Sequence, residues 1–408
     1  MTAISHQDHD TKASGRLIIL LAAMFLAPAV LAGFISQGLT VFLRMAGQPQ
    51  EIVGLVFAAG IPFALSFLWA PLVDRYGFRR LGYRRGWLLI SLVGAIAAAS
   101  MFLVLDPAEH PYALILTAAV MMGFLGTYIA AASGWMLDQL GTSQHAAGAA
   151  AQASSAAVGG LILGLGIFYL FGDLGWQYCI LALLGVTLLG LVLLVVLPRS
   201  PSCPPAHPER LSVFASLSLF RNRQAVLVYL FVQLMDMAIT LPFAQRAILQ
   251  VDAGMSLSEI GIIGVIGGNA AGLLGASIFG VVVSYIGAPR ALAIIAFLAL
   301  AMNVVLATQL GTTPSRTLVI AYVLGIGFLG FAGYTAGRSM FMGVCRDEHH
   351  AADFMTLMSL DAVGAMIAGA LGAVIAGSVG ASMVFAGAGG IAVVAIILAF
   401  TTPPRVAV

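Results

Sequence analysis

Asp74-Arg75-Tyr76-Gly77-Phe78-Arg79-Arg80-Leu81-Gly82-Tyr83-Arg84-Arg85-Gly86 separates two long apolar runs and holds five of the chain's eighteen basic residues. Cytoplasmic loops of membrane proteins collect Lys and Arg, so this stretch places the facing ends of its two runs inside. The rest of the chain is largely apolar. Of 408 residues, 61% are hydrophobic and 8% charged, and the mean hydropathy is +1.04. Soluble domains carry about a quarter charged residues, so the composition is that of an integral membrane protein.

About 20 apolar residues carry a helix across the hydrocarbon core. Twelve runs of that kind are present, near 17–43, 52–73, 87–105, 112–137, 146–171, 176–197, 224–249, 259–287, 289–310, 317–343, 354–379 and 381–402. An even number of crossings puts both termini on one side. With the termini inside, Lys12, Arg16, Arg75, Arg79, Arg80, Arg84, Arg85, Arg199, Arg210, Arg221, Arg223, Arg290, Arg346 and Arg405 are all inside. Only Arg44, Arg246 and Arg316 are outside, and Arg338 lies within a run. One missed or extra helix would scramble that asymmetry. The predicted layout is an amino-terminal tail at 1–16, a six-helix bundle at 17–197, a cytoplasmic linker at 198–223, a second six-helix bundle at 224–402 and a tail at 403–408.

The linker is proline-rich and carries four arginines, which argues against a continuous helix. After run eight, Gly280-Val-Val-Val-Ser284-Tyr285-Ile-Gly287-Ala-Pro-Arg290 repeats the layout of Ala70-Pro-Leu-Val-Asp74-Arg75-Tyr-Gly77-Phe-Arg79-Arg80 at an offset of 210 residues. Two similar halves in tandem are a transporter architecture, with solute held near the midplane between them. Small residues recur every fourth position in run five (Gly148, Ala156, Gly160, Gly164, interrupted by Gln152), run eight (Gly264, Gly268, Gly272) and run eleven (Gly364, Ala368, Gly372, Ala376, Gly380). Such stripes let helix backbones approach closely.

Ionisable residues within membrane helices cost about 2.5 to 3.5 kcal/mol each, so Asp236, Arg338 and Asp361 need a reason. Run seven places Tyr229, Gln233, Asp236, Thr240 and Phe243 on one helical face. Run ten does the same with Phe331, Tyr334, Arg338 and Phe341; run one offers Phe34 and Gln37, and run four Tyr128 and Trp135. Counted from the helix ends, Arg338 and Asp361 sit at similar depth and are predicted to pair. Asp236 has no basic residue obviously at its level, and an unpaired carboxylate in the membrane suits proton uptake and release. The predicted solute site is therefore Gln37, Tyr128, Trp135, Tyr229, Gln233, Asp236, Thr240, Phe243, Phe331, Tyr334 and Arg338, with Asp236 and Asp361 carrying the proton.

Other chemistry is weakly represented. Cys179, Cys203 and Cys345 are too scattered for a disulfide scaffold. Asp347-Glu348-His349-His350 with Asp353, and His6-Gln-Asp8-His9-Asp10, read as solvated loop and tail rather than metal sites. No Walker-type loop is present. Neither an enzyme nor a cofactor is expected, and the net charge of +2, which sits in the inside loops, gives no reason to propose nucleic acid as a partner. The expected partners are the lipid bilayer, a proton and an amphipathic small molecule, and a monomer is expected.

The stretch from Ala70 to Arg80 resembles the motif between helices two and three of the major facilitator superfamily, with Ala70 where that family has Gly. The resemblance implies an all-α membrane protein of two six-helix bundles that rock around a central cavity lined by helices one, four, seven and ten. It also implies a gate at Asp74, Arg75, Gly77, Arg79 and Arg80, with Asp74, Arg75 and Arg79 latching the amino-terminal half when the cavity faces outward. Gly33-Phe-Ile-Ser-Gln37-Gly38-Leu39, Phe67-Leu68-Trp69-Ala70-Pro71-Leu72-Val73-Asp74-Arg75, Arg85-Gly86-Trp87 and Ala352-Asp353-Phe354 look like the branch holding the rhizobactin and pyochelin siderophore importers and the muropeptide permease. The Ala-Asp-Phe segment leans toward siderophore importers. Ala130-Ala131-Ala132-Ser133 stands where the muropeptide permease usually carries acidic residues. The expectation is a proton-coupled importer of a siderophore or iron-siderophore in a bacterial inner membrane. Import of a muropeptide or another amphipathic metabolite is the first alternative and export of a drug or metabolite the second.

Overall fold

The computed structural model describes residues 15–49, 52–53, 55–78, 81–196, 215–243, 245–256, 259–309 and 315–401. Most of both predicted tails, residues 198–214 of the linker, and Cys203, Arg79 and Arg80 lie outside the described residues. Among those described, one β-bridge joins Phe78 to Gly82 and every other regular element is helical. Among the described residues, eleven helices are long and apolar enough to cross a membrane.

The run predicted at 52–73 is the exception. It is a chain of short pieces: a 3-10 turn at Leu55–Gly60, an α-turn at Ile61–Ala64, a second 3-10 turn at Ser66–Leu68 and an α-helix at Ala70–Arg75. Pro62 and Pro71 each fall in the first turn of an α segment, where the missing N–H costs nothing. The prolines thus break one crossing into restarts.

Three further crossings carry irregularities. Span one changes from α (Gly15–Gly33) to π (Phe34–Leu39) and back (Thr40–Met45). Span seven, Arg223–Thr240, breaks at Leu241-Pro242-Phe243 before Gln245–Asp252. Span eight opens with a π segment, Ile260–Gly267, before Gly268–Ile286. The remaining crossings are span three (Tyr83–Ser100), span four (Pro111–Gln139), span five (His145–Leu174), span six (Trp176–Val196), span nine (Ala288–Gln309), span ten (Arg316–Met342), span eleven (His350–Val379) and span twelve (Ala381–Thr401).

The small-residue stripes are where backbones meet. A Cβ on Gly160 would lie 2.2 Å from Asn269 Oδ1, so the Asn269 side chain of span eight fills the space beside span five. Gly280 faces the Ala150 methyl in the same seam, 2.6 Å from where its Cβ would be. Gly364 of span eleven is covered by the Gln233 amide, and Gly372 by the Leu241 carbonyl at the break in span seven.

At the end of the bundle that carries the arginine loop, here the basic end, three helices are buried on every side. Positions 130–137 of span four, 335–342 of span ten and 351–359 of span eleven show no exposed face. Beyond Asp361, span eleven exposes Val363, Met366, Ile367, Leu371 and Val374. A helix buried all round has neighbours on all sides. The basic end is therefore packed shut across both groups of six spans.

Candidate functional site

Asp236, Arg338 and Asp361 line one small pocket with Val232, Met235, Ile239, Leu292, Gly333, Tyr334 and Gly337. Spans seven and ten come together here because span ten presents glycine: a Cβ on Gly337 would lie 2.8 Å from Val232, and one on Gly333 3.7 Å from Ile239. Arg338 Nη2 stands 3.1 Å from Asp361 Oδ2. The guanidinium carbon lies 4.5 Å from the centre of the Tyr334 ring and 5.4 Å from that of Phe341, so the cation is held between a carboxylate and two aromatic faces.

Much of the cluster's hydrogen-bonding capacity is unfilled. Arg338 Nε and Nη1 and Asp361 Oδ1 are buried without a hydrogen-bond partner. Close by, Tyr229 donates to Gln233 Oε1 at 3.1 Å, while Gln233 Nε2 is left over. Orphaned buried donors and acceptors are costly, so these atoms suit a polar group arriving with a solute. Two carboxylates face one guanidinium, and a proton on either acid makes the cluster neutral. The expectation that Asp236 has no cation at its level is corrected: the glycines of span ten bring Arg338 into its pocket.

A second polar cluster closes the basic end. Asp74 is 1% exposed and accepts from the backbone N–H of Ala351 at 3.2 Å and of Ala352 at 2.7 Å. Span eleven has no side-chain cap of its own, so its cap comes from span two, in the other group of six. A carboxylate at a helix amino terminus also meets the positive end of the helix dipole. Arg84 binds both Asp74 Oδ1, at 2.8 Å, and Asp138 Oδ2, at 2.6 Å. Asp138 in turn meets His350 Nδ1 at 2.9 Å, a second link from spans two to four across to span eleven.

Arg75 was expected in this latch. It is exposed instead, with its guanidinium over the neighbouring Tyr76 ring at 5.3 Å. Arg84 takes its place because the chain turns at Gly82, with φ +93°, and starts span three so that its first turn points back at Asp74. Gly77 is required by packing, since a Cβ there would fall within 1.8 Å of the Tyr83 ring. The profile of the Major Facilitator Superfamily matches residues 13–234, more than half of the chain.

The chain belongs to the Major Facilitator Superfamily. Among curated relatives, the anhydromuropeptide permease of Escherichia coli K12 is 26% identical over 366 residues, which cover 87% of this chain and 72% of that protein. Putative transporter AmpG 3 of Rickettsia prowazekii is 26% identical over 377 residues, covering 84% of this chain and 87% of its own length. Among solved structures, the facilitator FucP in its outward conformation superposes with a TM-score of 0.74 at 15% identity, over 95% of this chain and 99% of that one. The human organic anion transporter MFSD10 gives 0.69 at 16% identity, over 95% of this chain and all of that one (100%). The protein is thus an all-α, multi-pass membrane transporter with the major facilitator fold.

In this facilitator, the residues predicted from sequence to line a solute site divide into two groups. Asp236, Tyr334, Arg338 and Asp361 come together in the pocket, with Tyr229 and Gln233 bonded to each other one turn away. Thr240 is near but spends its hydroxyl on the Asp236 carbonyl at 2.9 Å. The others do not join them. Tyr128 is 1% exposed and donates to the Met24 carbonyl of span one at 2.8 Å. Trp135 is buried in the closed basic end. Phe331 packs over Gly272 of span eight. Phe243 is 46% exposed in the break of span seven. Gln37 lies in the π segment of span one, and its side chain is outside the described residues.

Sequence reasoning passed over Arg84, Asp138 and His350. In the sequence, Arg84 is one of five positive charges in a basic loop, and His350 reads as part of a solvated segment. Asp353, grouped there with possible metal ligands, is fully buried and pairs with Arg346 at 2.7 Å. That contact raises the Arg346 guanidinium above its ordinary range. No group of three or more potential metal ligands converges among the described residues.

Proposed function

We propose that this facilitator imports muropeptide-type solutes, amphipathic conjugates of sugar and peptide, across a bacterial inner membrane with both termini in the cytoplasm, and that protons drive it. The single observation that carries the reading is the Asp236, Arg338 and Asp361 cluster in one pocket. It is polar, incompletely hydrogen bonded, and one proton away from neutrality. A polar solute group completes its hydrogen bonds while a proton balances its charge, which ties the two together. The names borne by the relatives support the muropeptide alternative over the siderophore expectation.

The lack of acids at Ala130-Ala131-Ala132-Ser133 weighs against muropeptides on sequence alone. That stretch belongs to the packed basic end, where small residues let span four fit among its neighbours. It is a packing segment in this chain and a poor guide to the solute. With the basic end taken as cytoplasmic, its closure shuts the cavity from the cytoplasm, the state in which an importer collects solute.

Uptake of labelled anhydromuropeptides and of labelled iron siderophores, by cells with and without the gene, tests the reading. Gene-dependent accumulation of the muropeptide alone is expected. Gene-dependent uptake of the siderophore alone would return the assignment to the other branch.

A further inference from the structure

Half-buried Arg85 bonds the Val195 carbonyl, and three other buried or half-buried arginines each hold a carboxylate: Arg84 with Asp74 and Asp138, Arg338 with Asp361, Arg346 with Asp353. Arg246 does not. It sits in Gln245–Asp252, beyond the break in span seven and on the side of the pocket away from the basic end. Among the described residues no carboxylate pairs with it. Its Nη1 reaches the Gly264 carbonyl at 3.4 Å, and its guanidinium carbon lies 4.6 Å from the centre of the Phe243 ring.

The surroundings are built to hold that cation. Gly264 belongs to the π segment of span eight, and π segments leave backbone carbonyls outside the regular helical ladder. A Cβ on Gly268, one turn on, would have only Arg246 Nη1 nearby, at 3.9 Å, so Gly268 leaves open space beside the guanidinium. Gln250, 1% exposed, lies against Gly264 from the same helix as Arg246, and its Nε2 has no hydrogen-bond partner. A half-buried cation held by a ring and a carbonyl, with unspent donors on its planar fork, has the chemistry of an anion site, and a carboxylate fits a guanidinium in two parallel bonds.

We propose that Arg246 is an outer subsite that takes a carboxylate of the transported solute, with its peptide part toward Arg246 and its remainder toward Asp236. This rests on the muropeptide reading for the identity of the solute, while the carboxylate preference rests on Arg246 alone. The cation is unpaired, whereas the Asp236 pocket already carries an excess of acid. An acidic peptide end therefore belongs at Arg246.

The test measures binding to purified full-length protein, wild type, Arg246→Gln and Arg246→Lys, each checked for monodisperse elution. Three probes are used: an anhydromuropeptide with free carboxylates, the same compound with its carboxylates amidated, and N-acetyl-Ala-Glu, which carries no sugar. Wild type is expected to prefer the free acid over the amide by about tenfold, the worth of one charge-assisted bond, and Arg246→Gln to lose that preference. Arg246→Lys, which keeps the charge, retains part of it and guards against a folding loss in the Gln variant. An unchanged acid preference in Arg246→Gln overturns the subsite and leaves the muropeptide reading in place. Binding of N-acetyl-Ala-Glu through Arg246 with no binding of either muropeptide leaves the subsite standing and removes the muropeptide. Absence of any acid preference in wild type overturns the subsite.

Discussion

Arg338 Nη2 lies 3.1 Å from Asp361 Oδ2, joining spans ten and eleven inside the membrane beside a second acid, Asp236. Removing one member of a buried pair strands the other's charge, at about 3 to 5 kcal/mol. Arg338→Ala leaves both Asp361 and Asp236 without a cation and is expected to lower stability strongly as well as abolish uptake, whereas Asp361→Ala leaves Asp236 facing Arg338 and is expected to cost less stability. The double replacement Arg338→Met with Asp361→Leu removes the pair, leaves Asp236 to be held protonated, and is expected to recover much of the stability with none of the transport. Thermal unfolding of the purified variants, read beside uptake, separates the two effects. A double variant that transports would show the pair to be structural only.

At the basic end, Asp74 caps span eleven from the other group of six spans. Its replacement by Ala removes the cap and one partner of Arg84, at about 1 to 2 kcal/mol, and shifts the balance toward opening there by about five- to thirtyfold. Ser133 is fully buried in the closed state. In a background lacking the native cysteines, a Ser133→Cys reporter is expected to react faster with a maleimide from that side once Asp74 is replaced. Equal labelling rates would mean the cap contributes nothing to closure.

The seam between spans five and eight makes a separate prediction. Asn269 occupies the space beside Gly160, so Gly160→Ala forces the amide aside, and rocking of one half on the other slows or misaligns. Turnover is expected to fall while equilibrium solute affinity holds, and adding Asn269→Ala restores turnover by vacating the space. If the second change gives no recovery, the contact is not what limits Gly160.

Depth arithmetic found the Arg338 and Asp361 pair in the sequence because both lie in long regular helices, where residue number converts to height. The same arithmetic failed for Asp236. The glycines of span ten, Gly333 against Ile239 and Gly337 against Val232, govern how near Arg338 comes, and helix periodicity does not encode a neighbouring helix's approach. Tyr128 and Phe331 share that cause: spacing gives a face, and cannot tell a face turned to the cavity from one packed on span one or span eight. Arg84 was invisible for a local reason. The turn at Gly82 resets the helical register, so counting residues from Asp74 favours Arg75 over the side chain that reaches back.

The central claim is that Asp236 links solute to proton. The direct measurement is uptake of labelled anhydromuropeptide into proteoliposomes under an imposed pH gradient, acid outside, for wild type and Asp236→Asn. Wild type is predicted to concentrate the solute above the outside level and to stop doing so when the gradient is collapsed, while Asp236→Asn only equilibrates or fails to bind. Gradient-driven accumulation by Asp236→Asn equal to that of wild type would contradict the account.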